Sequence, residues 1–247
     1  DVEFPSRQIS LQDAREKSAE IEVGQFIEEA MEAVEFGRIA AQAAKQVIHQ
    51  KVREAERRLI VEEYEPRIGE MLSGTVKRTD RGDIVVDVGG VEASLPRNRM
   101  IAREALRPGD RIRAILCDVR AESRGPQLML DRVCPELLIK LFQLEVPEAG
   151  EGIIDILAAA RDPGIRAKIA VRSNDRKIDP VGACVGIRGA RVQSVSNEIA
   201  GERVDIIPFS EDSPTFVIAS LAPAVVESII LDEDSNSMDV VVQESQL

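Results

Sequence analysis

The sequence is poor in the side chains on which most enzyme chemistry depends. Its 247 residues hold one His, three Cys, one Tyr and no Trp, and aromatics make up 3% of the chain. Cys117, Cys134 and Cys184 are odd in number and widely spaced, with no C-x-x-C. They read as fillers of small apolar gaps in a reducing compartment, not as a disulfide frame. His49 has no second His and no acidic cluster at ligand spacing, so no metal site is expected. It sits between Ile48 and Gln50 in a helical stretch, and no strained nucleophile turn accompanies it. Ser-His and Cys-His hydrolysis are thereby excluded. The longest weakly polar run, Phe216–Val226, is broken by Ser220 and Pro223 and falls short of the ~20 residues a membrane helix needs. No secretory leader opens the chain, and nothing resembles a lipidation signal. No cofactor, metal or membrane is expected.

Acid outweighs base: 44 Asp and Glu against 32 Lys and Arg give a net charge of −12. Taken whole, that argues against nucleic acid as a partner. Taken by segment, it does not. Residues 1–69 carry −5, 70–134 carry +2, 135–203 are balanced, and 204–247 carry −9 with no base at all. The acid lies at the two ends. The middle is neutral to slightly basic, and its cations are mostly Arg, whose fork suits phosphate. Hydrophobic residues make up 44%, enough for ordinary cores, and the length fits one or two domains, or more if they are small.

After Gly24 the pattern becomes helical. Ile27, Ala30, Val34, Gly37, Ala41, Ala44, Ile48, Val52, Ala55 and Leu59 advance by three or four and lay down one stripe. Glu54 and Arg58 form an i,i+4 pair, and Pro66 ends the helix just after Tyr64. About 40 residues at ~1.5 Å rise make a rod on the order of 60 Å. Two readings stay open. The stripe packs on its own domain, or the helix offers a partner surface on the acidic face where Glu28, Glu29, Glu32 and Glu35 cluster. Upstream, Ser10 with Asp13 marks a helix start, and Val2–Ile9 reads as a strand. An opening at Asp1 without Met reads as a start inside a domain.

Over residues 69–134 the period switches to two. Met71–Lys77, Asp83–Val88, Val91–Leu95, Arg111–Val119 and Gln127–Val133 read as strands, separated by Gly- and Pro-bearing turns such as Gly89-Gly90 and Pro108-Gly109-Asp110. Five strands in this length, with a longer connection after the third, suit a five-stranded OB-fold barrel. Ile112 and Ala114 should point inward, Arg111 and Arg113 outward. The parts Ser73-Gly74-Thr75-Val76, Gly89 and Pro108-Gly109-Asp110 resemble the barrel named after ribosomal protein S-one. OB-fold readers usually stack bases on aromatic rings, yet residues 65–141 contain no Phe, Tyr or Trp. RNA contact here would rest on phosphate binding by Lys77, Arg78, Arg81, Arg97 and Arg99. A purely structural barrel is the other reading.

The most specific pattern follows. Ile153–Ala159 and Ile165–Val171 are apolar strands joined by the turn Arg161-Asp162-Pro163-Gly164. Then comes Val181-Gly182-Ala183-Cys184-Val185-Gly186-Ile187-Arg188-Gly189-Ala190-Arg191-Val192, with a strand at Arg203–Ile207. A Gly-x-x-Gly between two helical segments, after a hairpin and before a strand, is the KH arrangement. With a first helix at Pro135–Phe142 the order is that of a type II KH domain. Gly186 and Gly189 let the backbone approach a sugar-phosphate chain, and the amides opening the next helix donate to phosphate. Arg188 and Arg191 add charge, and Val185, Ile187 and Val192 form an apolar floor for bases. Arg161, Arg166 and Lys168 at the hairpin tip, and the Arg172–Lys177 loop, are flanking candidates. After Phe209, a helix at Ser213–Leu221 and strands at Ile229–Leu231 and Met238–Val242 repeat the opening of such a domain. That half must pack on a neighbour or be completed in a longer chain.

The class is α+β multidomain: a partial N-terminal long-helix domain at 1–68, the barrel at 69–134, a KH domain at 135–209 and the beginning of a second at 210–247. Lys45-Gln46-Val47-Ile48 through Arg57, Ala158-Ala159-Ala160-Arg161-Asp162-Pro163-Gly164 and Ile178-Asp179-Pro180-Val181-Gly182-Ala183-Cys184-Val185-Gly186 closely resemble the bacterial NusA family of transcription termination and antitermination factors. That resemblance implies a cytoplasmic, monomeric, non-enzymatic RNA-binding factor. It implies contact with RNA polymerase through the N-terminal domain, where Glu28, Glu29, Glu32 and Glu35 would lie, with that contact impaired if helices are missing. It also implies binding of single-stranded nascent RNA through the barrel and KH units, other antitermination factors as partners, and control of pausing, termination and antitermination. The rival classes are an RNA-binding subunit of an RNA-degrading machine and an adaptor that touches only protein.

Overall fold

The computed structural model describes residues 8–17, 20–27, 38–102, 104–121, 125–232, 235 and 237–243. The chain divides into two units, residues 1–50 and 51–247, with the boundary inside a helix. In the first unit, α1 (Leu11–Lys17) starts on Ser10, whose hydroxyl accepts from the Asp13 amide at 3.2 Å and donates to its carboxylate at 2.7 Å. Helix α2 runs Arg38–Tyr64. The expected acidic face at Glu28, Glu29, Glu32 and Glu35 and most of the strand expected at Val2–Ile9 lie outside the described residues, while Gln25, Phe26 and Ile27, where the expected helix would open after Gly24, are not helical. The stripe is not packed as the scaffold reading required: Ala41, Ala44, Ile48, Val52, Ala55 and Leu59 are exposed. Burial begins only in the last turns. There Ile60 packs on the barrel and Tyr64 is buried in its core, while the Arg57 carbonyl accepts from Gln127 Nε2 at 2.9 Å. Amphipathic spacing marks a face that burial would favour, and in the second unit the cover reaches only those turns.

Pro66 stops the helix, and the barrel begins. Strands β1 (Met71–Asp80), β2 (Asp83–Val88), β3 (Val91–Leu95), β4 (Arg111–Val119) and β5 (Leu128–Asp131) close in the order β1-β2-β3-β5-β4. β3 and β5 pair in parallel; the other neighbours are antiparallel. Period two is obeyed: Leu72, Val76, Val86, Leu95, Ile112, Ala114, Leu116 and Leu130 fill the interior. At Gly74 a Cβ would lie 2.5 Å from Val86 Cγ1 and 2.7 Å from the Asp87 carbonyl, so the close crossing of β1 over β2 admits no side chain there.

The next layer is α3 (Pro135–Glu145), α4 (Pro147–Gly150), β6 (Ile154–Asp162), β7 (Arg166–Ser173), α5 (Pro180–Val185), α6 (Ala190–Glu198) and β8 (Arg203–Pro208). The sheet order is β6-β7-β8, with β6 and β7 antiparallel and β7 and β8 parallel. The helices bury Leu137, Leu141, Phe142, Cys184, Val195 and Ile199 against Ile169 and Val171. Helix α7 (Ser213–Leu221), capped by the Asp212 carboxylate on the Thr215 amide at 3.0 Å, precedes the hairpin β9 (Val226–Asp232) and β10 (Ser237–Val242). Ile218, Val225, Ile230, Leu231 and Val241 of this segment are exposed. Among the described residues no helix is long and apolar enough to cross a membrane.

Barrel and KH layer are joined by a buried polar junction. Arg132, 1% exposed, donates to both Glu104 carboxylate oxygens (2.6 and 3.1 Å), to the Glu198 carbonyl (2.8 Å) and to the Arg113 carbonyl. Arg161 sits beside it. Its side chain is buried and forks onto Glu202, also buried, at 2.8 and 2.9 Å, while Nη1 reaches the Arg132 and Cys134 carbonyls. The hairpin tip is seated on the barrel connection: a Cβ at Gly164 would stand 3.1 Å from Ile101 Cγ2, and Ile101 is itself part of the KH-side core. The expectation that Arg161 flanks RNA is therefore corrected. Its guanidinium donates four hydrogen bonds, all into the junction, as a charge out of water requires paired partners.

Candidate nucleic-acid interface

The Gly-x-x-Gly loop stands where α5 gives way to α6. Asp179 caps α5, accepting from the Val181 and Gly182 amides at 3.1 Å each, and Pro180 supplies the first-turn φ. Helix α5 stops at Gly186, with φ 75° and ψ 174°, a region open essentially to glycine alone. Ile187–Gly189 makes one tight 3-10 turn, closed by the Gly189 amide on the Gly186 carbonyl at 3.1 Å. Gly189 is left-handed at φ 77° and ψ 15°, and α6 then begins with no capping side chain. The first amides of a helix need outside acceptors, and here they open beside the loop. Ile187 is 87% exposed, and Arg188 is exposed and itself left-handed at φ 54° and ψ 27°. The turn thus holds outward an apolar side chain, a cation and uncapped helix amides, as an anion-binding loop must.

Arg191 is placed differently from the expectation. Its Nη1 donates to the Ala183 carbonyl at 2.7 Å and to Glu148 of α4 at 3.0 Å. The Glu148 carboxylate is held below the usual range, first by its own backbone amide and then by Arg191. A Cβ at Gly186 would lie 2.8 Å from Arg191 Cγ. Arg191 thus lies under the loop and clamps it. Of the expected apolar floor, Val185 and Val192 are half-buried while Ile187 stands free. Cys184 is fully buried beneath, and burial pushes its thiol up to about 11, so it stays protonated and inert.

The remaining expected contacts divide by their partners. Arg166 lies 2.6 Å from Asp205, and Lys168 donates to the Ala222 carbonyl with Asp205 at 3.5 Å. Arg172 is flanked by Glu211 at 3.4 Å and lies 5.8 Å over the Phe209 ring. On the barrel, Arg78 forks onto Glu92 at 2.7 and 3.0 Å, and Lys77 meets Asp87 at 3.1 Å. Each acid is held below the usual carboxylate range, chiefly by its hydrogen bond to that cation. Arg99 pairs with Asp131 at 3.1 Å. Arg81, at φ 53°, forms the β1–β2 turn, and the Arg97 stem passes 3.8 Å from where a Cβ on the neighbouring Gly82 would sit; both are exposed. Sequence reasoning missed the Arg132 junction. Its signal was the alternation that puts residue 132 on the inward face of Leu128 and Leu130.

Comparison with known proteins follows the same order of parts. Residues 1–58 match the NusA N-terminal domain, 65–130 the S1 RNA binding domain and 132–209 the NusA-like first KH domain. The chain is 48% identical over 247 residues to the transcription termination/antitermination protein NusA of Rickettsia prowazekii (strain Madrid E), covering 99% of this chain and 49% of that protein. It is 48% identical over 250 residues to the protein of the same name from Rickettsia conorii (strain ATCC VR-613 / Malish 7), covering 100% of this chain and 50% of that one. The chain spans about half the length of the curated relatives it matches. Two NusA-specific domains flank an S1 barrel in one continuous alignment, and the chain belongs to the NusA family.

Proposed function

We propose that this chain is the RNA-engaging part of a transcription elongation factor. It binds single-stranded nascent RNA and, through residues 1–68, bacterial RNA polymerase, and so modulates pausing, termination and antitermination. It works without catalysis, as a cytoplasmic monomer alongside other antitermination factors. The observation that carries the RNA reading is the loop itself, where Gly186 and Gly189 present Ile187, Arg188 and uncapped helix amides to solvent. Those four residues make the first contact. Arg81 and Arg97 are exposed cations on the barrel that reach phosphate. Lys77, Arg78, Arg99, Arg166 and Lys168 contribute by exchanging their present partners for phosphate, and Arg191 holds the loop in shape. The polymerase contact is assigned to the face bearing Glu28, Glu29, Glu32 and Glu35. Family membership favours this reading over a subunit of an RNA-degrading machine.

Gly189→Asp, where a Cβ would meet nothing closer than 3.8 Å, places a carboxylate at the mouth of the loop. It should weaken single-stranded RNA at least roughly tenfold, the scale of losing a charge-assisted contact, with an unchanged circular dichroism spectrum. Wild-type affinity in a folded variant would contradict the assignment.

A further inference from the structure

The outer face of β1 and β4 holds a second polar site. Cross-strand register sets Ser73 opposite Arg113 and Thr75 opposite Arg111, so two hydroxyls and two guanidiniums share one surface. That surface and the C-terminal end of α6 enclose a cleft of about 430 Å³, with Asp87 and Glu198 at its edges. Small-ligand sites commonly measure ~300–1,000 Å³.

Both acids are already committed. Asp87 accepts from the Gly90 amide at 2.7 Å and pairs with Lys77 at 3.1 Å. Glu198 lies 3.2 Å from Arg113 and 3.5 Å from the buried Arg132. Among the described residues no acid lies within ion-pair distance of Arg111. The cleft therefore keeps one uncompensated cation next to the Thr75 hydroxyl, between walls that the Arg132 junction fixes. Its position bears on the loop. Helix α6 runs Ala190–Glu198 from the loop to the cleft, which at ~1.5 Å per residue separates them by roughly 12 Å along the helix. Gln193 and Asn197 lie exposed between them.

We propose that the cleft is a phosphodiester subsite, in which Arg111 and the Ser73 and Thr75 hydroxyls hold a phosphate of the same RNA strand that the Gly186–Gly189 loop clamps. The assignment rests on the RNA reading of that loop. It adds to the barrel's contacts one further cation, Arg111, that no acid among the described residues pairs.

The test uses the whole chain and two single-stranded RNAs: one of about four nucleotides, the span a KH loop clamps, and one about three times as long. Arg111→Gln should leave the short RNA unaffected and weaken the long one roughly tenfold. It should also flatten the slope of log affinity against log salt by about 0.7, one single-strand phosphate contact. Thr75→Val should act in the same direction, and Arg111→Lys should restore most of the loss. Equal affinity of Arg111→Gln and wild type for the long RNA would overturn the proposal, as would a loss shared by both lengths. Arg111-dependent binding of polyglutamate with RNA unaffected would assign the cleft to protein and also overturn it. Gly189→Asp separates the two readings. If it abolishes both RNAs while Arg111→Gln changes neither, the loop stands and the cleft falls. If it changes neither while Arg111→Gln weakens the long RNA, the loop reading fails and with it the shared strand, leaving phosphate binding in the cleft by itself.

Discussion

Arg188 occupies a left-handed backbone between two glycines that are also at positive φ. A side chain there costs about 1–2 kcal/mol, and nothing in the KH core repays it, because Arg188 is exposed. Strain kept at an exposed cation fits a residue held for a ligand. Arg188→Gly should raise stability to urea by about 1 kcal/mol while lowering RNA affinity. If the substitution destabilises the chain, or leaves RNA affinity unchanged, the side chain serves the fold instead. At this scale the sequence is legible where the determinant is local: two glycines, an arginine and the helix that follows. It is illegible where the partner is remote. Arg191 and Glu148 are 43 positions apart, Arg161 and Glu202 are 41, and no spacing rule links them.

Among elements, the hairpin β6–β7 shows how a basic turn becomes structure. Its tip carries Arg161 into the junction, where Glu202 accepts from Arg161 Nε and Nη2 and from the Gly164 amide. Removing one charge of such a pair strands the other in a dry interior. Glu202→Gln should therefore cost about 3–5 kcal/mol in urea unfolding, and the double variant Arg161→Met/Glu202→Met should recover much of it. A loss under about 1 kcal/mol for the single variant would show that water reaches the pair. The five barrel strands and the KH hairpin were legible because period two and Gly-Pro turns write themselves into consecutive residues. The junction was not, since it is made by strand ends and connections. Only Arg132, on the inward face of Leu128 and Leu130, betrayed it. The α2 stripe teaches the reverse, since helical spacing shows an apolar face without showing whether this part of the chain covers it.

Over the whole molecule, a net charge of −12 coexists with a slightly basic middle, the segment to which RNA is assigned in our proposal. The acid sits in residues 1–69 and 204–247, while the barrel and KH layer together are slightly positive. Much of that positive charge is cancelled locally by Glu92, Asp87, Asp131 and Asp205, so charge counts overstate the RNA surface. Among the described residues, the cations left without an acid at ion-pair distance include Arg188 in the loop, Arg81 and Arg97 on the barrel, and Arg111 in the cleft. A surface of this kind binds by geometry at few points, with the Arg132 junction keeping barrel and loop in register. The most direct test is photocrosslinking of single-stranded RNA to the whole chain, mapped to residues. The account predicts the strongest adducts at Ile187 and Arg188. Adducts on Lys77 and Arg78 with none between residues 180 and 192 would contradict it.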